Sequence, residues 1–232
     1  MISVIIGLYN EEEVLPSFIK AFFKTIDLNE SYELILVDDG STDNTKSLVL
    51  EFKEIYPKIK LISYSPNKGL GNALRIGFRH ASGRIIITMD SDLAHPPRYI
   101  SKMAGLVDQG YDVVIGSRYV KGGGITEVPV QRDLLSRLTN YVTRLVVLSK
   151  LKDLTCGFRA YNSKKLRRIC IREKGFEVEV EILVKFMRQK SHIKEMPFIS
   201  VDRQKGESKF NIFKDGLSYI IGLFKVFLYR WF

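Results

Sequence analysis

The chain has 232 residues, 45% of them apolar and 27% charged, with 36 Lys and Arg against 26 Asp and Glu for a formal charge of +10. That composition excludes a disordered, collagenous or multi-domain chain and fits a single α/β domain with an appendage. Two cysteines, Cys156 and Cys170, and a start without a charged leader speak against a disulfide framework and secretion, while the cationic surplus points to phosphates, nucleic acid or an anionic membrane surface.

Up to about Ile115, short apolar runs alternate with amphipathic ones, the rhythm of βαβ units building a parallel sheet. Strands are predicted at 2–6, 32–37, 59–63, 84–89 and 112–115. Helices are predicted between them at 12–26, 43–56, 70–81 and 97–108, with Ser41 or Thr42 capping the second. Right-handed crossovers bring the C-terminal ends of the strands to one edge. Lys121-Gly122-Gly123-Gly124 then reads as a flexible loop, followed by a helix near 130–150, another at 177–190 and a strand at 193–201. From Phe210 onward, Phe213, Leu217, Ile220, Phe224 and Phe227 follow helical spacing on one face. No apolar run reaches the 18 residues of a membrane span, and residues 210–232 read as an amphipathic segment that either lies in a membrane interface or packs its apolar face on the catalytic domain of residues 1–209.

Polar residues follow strands one, two and four, as Tyr9-Asn10-Glu11, Asp38-Asp39-Gly40-Ser41 and Asp90-Ser91-Asp92. In an open α/β sheet those ends line the ligand crevice, although turn chemistry alone selects the same residue types. Carboxylates meeting at one edge repel unless a cation or a hydrogen-bonding ligand is shared. Asp90-x-Asp92 suits a hard divalent ion with oxygen ligands, Mg²⁺ or Mn²⁺, whereas His80, His95 and His192 are too scattered for zinc. Gly69-Leu70-Gly71 lacks the third glycine and the distant acid of a dinucleotide fingerprint, and no Walker A pattern occurs. Asn67-Lys68-Gly69 is expected to bring a cation and backbone N–H groups near a phosphate. The basic residues are spread over several elements with no nucleic-acid-binding module, so no nucleic acid partner is expected.

These motifs, together with Gly116-Ser117-Arg118-Tyr119, Arg132, Ser136, Asp153-Leu154-Thr155-Cys156-Gly157-Phe158-Arg159 and Arg203-x-x-Gly206-x-Ser208-Lys209, give a chain that resembles the family 2 glycosyltransferases of GT-A fold over nearly its whole length. The resemblance implies a Rossmann-like three-layer sandwich with a mostly parallel central sheet. It further implies inverting transfer of mannose from GDP-mannose, or of another sugar from its nucleotide, to a dolichyl or polyprenyl phosphate.

In that resemblance Leu8, Tyr9, Glu11, Val37, Asp39, Lys68, Asp90, Ser91, Arg203 and Lys209 hold the nucleotide sugar, and Asp90 and Asp92 hold Mg²⁺ or Mn²⁺. Arg118, Arg132 and Ser136 receive the acceptor phosphate, and Asp92, Arg118, Arg132 and Arg203 take part in catalysis. A membrane-associated enzyme with its site on the cytosolic side, held in some relatives by small anchoring subunits, is also implied. Two positions depart from the family pattern: Leu8 stands where many relatives have proline, and Ala94 stands where a glutamine associated with the metal is usual. Ala94 keeps open a dolichyl-phosphate glucosyltransferase using UDP-glucose. A non-catalytic nucleotide-sugar-binding subunit is the reading from a different class.

Overall fold

The first strand is apolar along both faces, as expected for a strand covered by a layer on each side. In the computed structural model, which describes residues 1–26, 31–126, 128–201 and 221–228, Val4, Ile6 and Leu8 enter one core while Ile5 enters the other. The strands are β1 (Ile2–Leu8), β2 (Tyr32–Asp39), β3 (Ile59–Tyr64), β4 (Ile85–Thr88), β5 (Val113–Ser117), β6 (Gly124–Thr126), β7 (Arg159–Asn162), β8 (Ile193–Pro197) and β9 (Ile199–Val201). The helices are α1 (Leu15–Thr25), α2 (Thr45–Ile55), α3 (Leu70–His80), α4 (Ile100–Asp108), α5 (Val130–Val146), α6 (Ser163–Leu166) and α7 (Val178–Arg188). Residues 221–228 are also helical.

Seven strands form the central sheet in the order β3-β2-β1-β4-β7-β5-β8, and only β7 runs antiparallel to its neighbours. Side chains from α1, α2 and α4 fill one face and those from α3 and α7 the other, which makes three layers, as expected. Close approach of α3 depends on small residues: a Cβ at Gly71 would lie 2.1 Å from the carbonyl oxygen of Glu173, and the Gly71 N–H donates to the Lys174 carbonyl at 2.8 Å. The expected strands and helices before Ile115 are present. The second helix, however, is not capped by Ser41 or Thr42: Asp43 Oδ1 accepts from Thr45 N at 3.0 Å, and Ser41 is used elsewhere.

The second half departs further from the sequence expectation. The single strand expected over 193–201 is two, because Pro197 has no N–H for the ladder and the chain leaves the large sheet there. β9 instead pairs with β6, which grows out of the expected Gly-rich loop. A second strand without a sequence expectation is β7, inserted between β4 and β5. As a result the C-terminal ends of β1, β2, β4 and β5 and the start of β7 share one edge.

Candidate active site

At the β1–β2 end of this edge two loops are laced together. Asn10, at φ 52°, receives Thr42 N on its Oδ1 at 2.8 Å, and its own N–H donates to Ser41 Oγ at 3.0 Å. Glu11 N donates to Thr45 Oγ1 at 2.8 Å. Gly40 is at φ 74°, and a Cβ there would meet Asn67 N at 2.7 Å, so both its conformation and the neighbouring loop require glycine. Asp38 accepts Ser41 N and Ser63 Oγ, at 3.0 and 2.9 Å. Asp39 accepts Lys68 N and Gly69 N, both at 2.8 Å. The backbone N–H groups expected to face a phosphate are therefore spent on Asp39. At Asp38 and Asp39 internal donors offset the repulsion expected among acidic corners. Tyr9 is exposed and Lys68 stands over the Tyr64 ring, whereas the side chains of Leu8 and Val37 lie in the two cores and can offer a ligand only backbone.

After β4 the chain turns through Leu93 at φ 63°, a conformation costing about 1–3 kcal/mol that the surroundings must hold in place. Asp92 is buried and its Oδ1 accepts Ala94 N at 3.0 Å. Asp90 leaves its carboxylate half exposed, and Ser91 is buried between them. His95 lies in this loop, buried, and braces the turn. Its Nδ1 accepts Asp90 N at 3.0 Å, which places the proton on Nε2, 3.7 Å from Cys156 Sγ, and its ring stacks on Phe158. Beneath Asp90 lies Gly157: a Cβ there would stand 3.3 Å from Glu179 Oε1 and 3.6 Å from Asp90 Oδ1. Burial and the Asp90 charge push the Glu179 carboxyl up, against the pull of Arg159. Fully buried Arg159 faces that carboxylate at 2.8 Å and donates to the carbonyl oxygens of Glu179 and Leu154 at 2.5 and 2.7 Å. Glu181 braces a loop by accepting Arg172 N and Glu173 N, and Glu177 accepts Gly175 N.

After β5, Arg118 is gripped by the buried Asp153, which accepts from Nε and Nη2 at 2.8 Å each and from the backbone N at 3.0 Å. Among the described residues, Nη1 has no partner and is the donor left for a ligand. Tyr119 lies beside the guanidinium groups of Arg118 and Arg137 and pairs its OH with Ser136 Oγ at 2.8 Å. Arg132 sits one turn earlier on α5, exposed. Asn140, buried on the same helix, ties the group to the β7 approach: its Oδ1 accepts Leu154 N at 2.9 Å and its Nδ2 donates to Thr155 Oγ1 at 2.7 Å. Arg203 and Lys209 lie outside the described residues. Asn140 was not singled out from sequence, and Asp153, which heads one of the motifs, was given no role of its own; burial is what marks both.

Burial, followed by the Asp153 charge, pushes the Cys156 thiol up from 9.0 to about 12. Between those values the unfolded thiol ionises while the folded one keeps its proton, so stability falls as pH rises through that window. Iodoacetamide at pH 8 is expected to modify the exposed Cys170 alone in the native chain and both cysteines after unfolding, as read by intact mass. Labelling of native Cys156 would contradict the buried, protonated thiol.

Residues 3–170 match the family described as Glycosyl transferase family 2, and the chain belongs to it. Among its relatives, dolichol-phosphate mannosyltransferase of Pyrococcus furiosus is 37% identical over 210 residues, 90% of this chain and 58% of the relative. Polyprenol monophosphomannose synthase of Mycolicibacterium smegmatis is 31% identical over 215 residues, 90% of this chain and 80% of the relative. The chain thus spans somewhat more than half the length of the archaeal protein. The fold is the GT-A fold, shared with glucosyl-3-phosphoglycerate synthase from Mycobacterium tuberculosis, solved with Mn²⁺, UDP and glucosyl-3-phosphoglycerate, at TM-score 0.71 and 22% identity over 97% of this chain and 79% of that one.

Proposed function

We propose that this chain is the catalytic domain of an inverting glycosyltransferase that moves mannose from GDP-mannose to dolichyl or another polyprenyl phosphate. The observation carrying this reading is the pairing, on one sheet edge, of the Asp90/Asp92 turn with the Arg118–Tyr119–Ser136 group across a single intervening strand. The two relatives named for mannosyl transfer to such lipids support the acceptor class.

The residues present fit a hard divalent ion. Asp90 and Asp92 offer oxygen donors, one half exposed, and among the described residues no third His, Cys, Asp or Glu completes a protein cage. That suits Mg²⁺ or Mn²⁺, which keep water and phosphate oxygens in their shell. Such an ion, held by Asp90 and Asp92, would neutralise charge on the departing diphosphate. Tyr9, Glu11 and Asp39 would hold the nucleoside, Asp39 through acceptor sites left beside its two backbone donors. Arg118 Nη1, Arg132 and Ser136 would orient the acceptor phosphate. One of its oxygens, already anionic and needing no protein base, attacks the anomeric carbon while the bond to the diphosphate breaks and GDP leaves with the electron pair. Arg203 and Lys209 are assigned to the phosphates by resemblance alone.

Among the described residues no helix is long and apolar enough to cross a membrane. Helix 221–228 sends Leu223 and Val226 into the core and leaves Ile221 and Phe224 outside, which supports an interfacial role for that part of 210–232; the cytosolic side is assigned by resemblance alone. The test supplies the full chain with Mn²⁺, a short polyprenyl phosphate and radiolabelled GDP-mannose or UDP-glucose. Mannolipid with inverted configuration, lost on chelation, is expected. Product from UDP-glucose alone would overturn the donor, and no lipid product from either would favour a non-catalytic binding subunit.

A further inference from the structure

The N–H groups of Gly69 and Gly71 both end on protein acceptors, Asp39 Oδ2 and the Lys174 carbonyl, so this pair of glycines serves something other than a phosphate. Gly69 is at φ 88°, and a Cβ on it would lie 2.5 Å from the Lys174 carbonyl oxygen, while one on Gly71 would lie 2.1 Å from that of Glu173. What the two glycines admit is backbone: the connection from α6 to α7 crosses the start of α3 here, and Gly71 N donates to Lys174 O at 2.8 Å. Over 169–174 that connection is neither helix nor strand, so its position depends on outside partners. Glu181 is the chief one. Its side chain is fully buried, Oε1 accepts Arg172 N at 2.8 Å and Oε2 accepts Glu173 N at 2.9 Å. The Lys185 ammonium pairs with the same carboxylate and donates to the Cys170 carbonyl at 2.5 Å. A buried carboxylate persists only among such donors, and in turn it fixes where they stand.

The loop under this crossing is the one that holds Asp39. Lys68 N and Gly69 N donate one to each Asp39 carboxylate oxygen at 2.8 Å, and Asn67 Nδ2 donates to the Asp39 carbonyl at 3.0 Å. Loop 67–69 is therefore clamped between Asp39 on one side and the crossing segment on the other. We propose that Glu181 is a positioning residue for the nucleotide: by anchoring residues 172 and 173 it holds Lys68 and Gly69 in place, and through their N–H groups it sets the orientation of the Asp39 carboxylate. Two backbone donors that lock a carboxylate leave its remaining lone pairs in fixed directions, so a ligand need not order it on binding. The link from Glu181 to loop 67–69 stands on these contacts alone. Its consequence for the nucleotide rests on the function proposed above, in which Asp39 holds the nucleoside.

The first test needs no ligand. In E181Q the side-chain NH₂ faces donors that the carboxylate accepts, and hydrogen exchange of the Lys68 and Gly69 amides in the full chain is expected to rise about tenfold. In the second, binding of GDP with Mn²⁺ is followed by calorimetry, and the dissociation constant is expected to rise roughly fivefold while KM for a short polyprenyl phosphate holds. G71A leaves Glu181 and its donors intact and pushes only on the crossing segment, so it should reproduce both effects, and it decides alone if E181Q does not fold. V107A loosens α4 on the opposite face of the sheet and is expected to change neither reading, although its melting temperature falls. A Glu181 that merely stabilises the fold would behave as V107A does. Unchanged exchange at Lys68 and Gly69 in the variants that fold would overturn the proposal, and so would faster exchange with undiminished GDP affinity. A parent chain that binds no GDP would count against the enzymatic reading instead, and the exchange result would still decide the link.

Discussion

Asp92→Asn is expected to lower the proposed mannosyl transfer by on the order of 10²–10³-fold, the loss typical of removing one electrostatic stabiliser of developing charge. Stability should change little, because the amide oxygen of asparagine can still accept the Ala94 N–H that the carboxylate accepts at 3.0 Å. Leu93 would thus keep its left-handed conformation, and only the negative charge would be removed. The measurement is kcat and KM over a Mn²⁺ titration, with melting temperature as the control. If kcat holds and the melting temperature holds, the ion is not carried by this turn. The half-exposed Asp90 offers a comparison, since its loss should show chiefly as weaker apparent metal affinity.

Arg159→Met should produce the largest loss of stability. Removing the guanidinium strands the Glu179 carboxylate and two carbonyl oxygens in a fully buried place, and breaking such a pair from one side costs about 3–5 kcal/mol. For a chain of this size that corresponds to roughly 10 °C in melting temperature. The double change R159M/E179Q should recover part of the loss, because no charge is then left without its partner. A single variant that melts within about 2 °C of the parent would mean that water reaches the pair and that the sheet edge beneath Asp90 is looser than its burial indicates.

What was readable from the sequence follows from how each signal arises. The parallel half announces itself through apolar runs such as Ile85-Ile86-Ile87, because strands covered on both faces cannot afford polar positions. The loops after β1, β2 and β4 stand out because turns and ligand edges draw on the same short polar residues. β7 gave no such signal: it is four residues long, begins with an arginine and ends with an asparagine. Arg159 closes a motif that carried no role for it, and the Glu179 that faces it lies twenty positions on. The backbone N–H groups of Lys68 and Gly69 were legible as donors, but their acceptor, the Asp39 side chain, was not, since pairing across the sheet edge has no local sequence mark. Helix α5 was legible as a helix, and periodicity alone could not say which of its sides meets the domain.

The antiparallel strand between β4 and β5 acts as a spacer. Neighbouring strands stand about 4.8 Å apart, so one inserted strand holds the aspartate turn and the arginine corner roughly 10 Å from each other. A pyranose ring with a phosphate on either side needs a gap of that order. Lateral hydrogen bonding of the backbone would thus gauge the size of the reacting pair, so that loop substitutions could exchange one hexose for another without altering the distance across which transfer takes place.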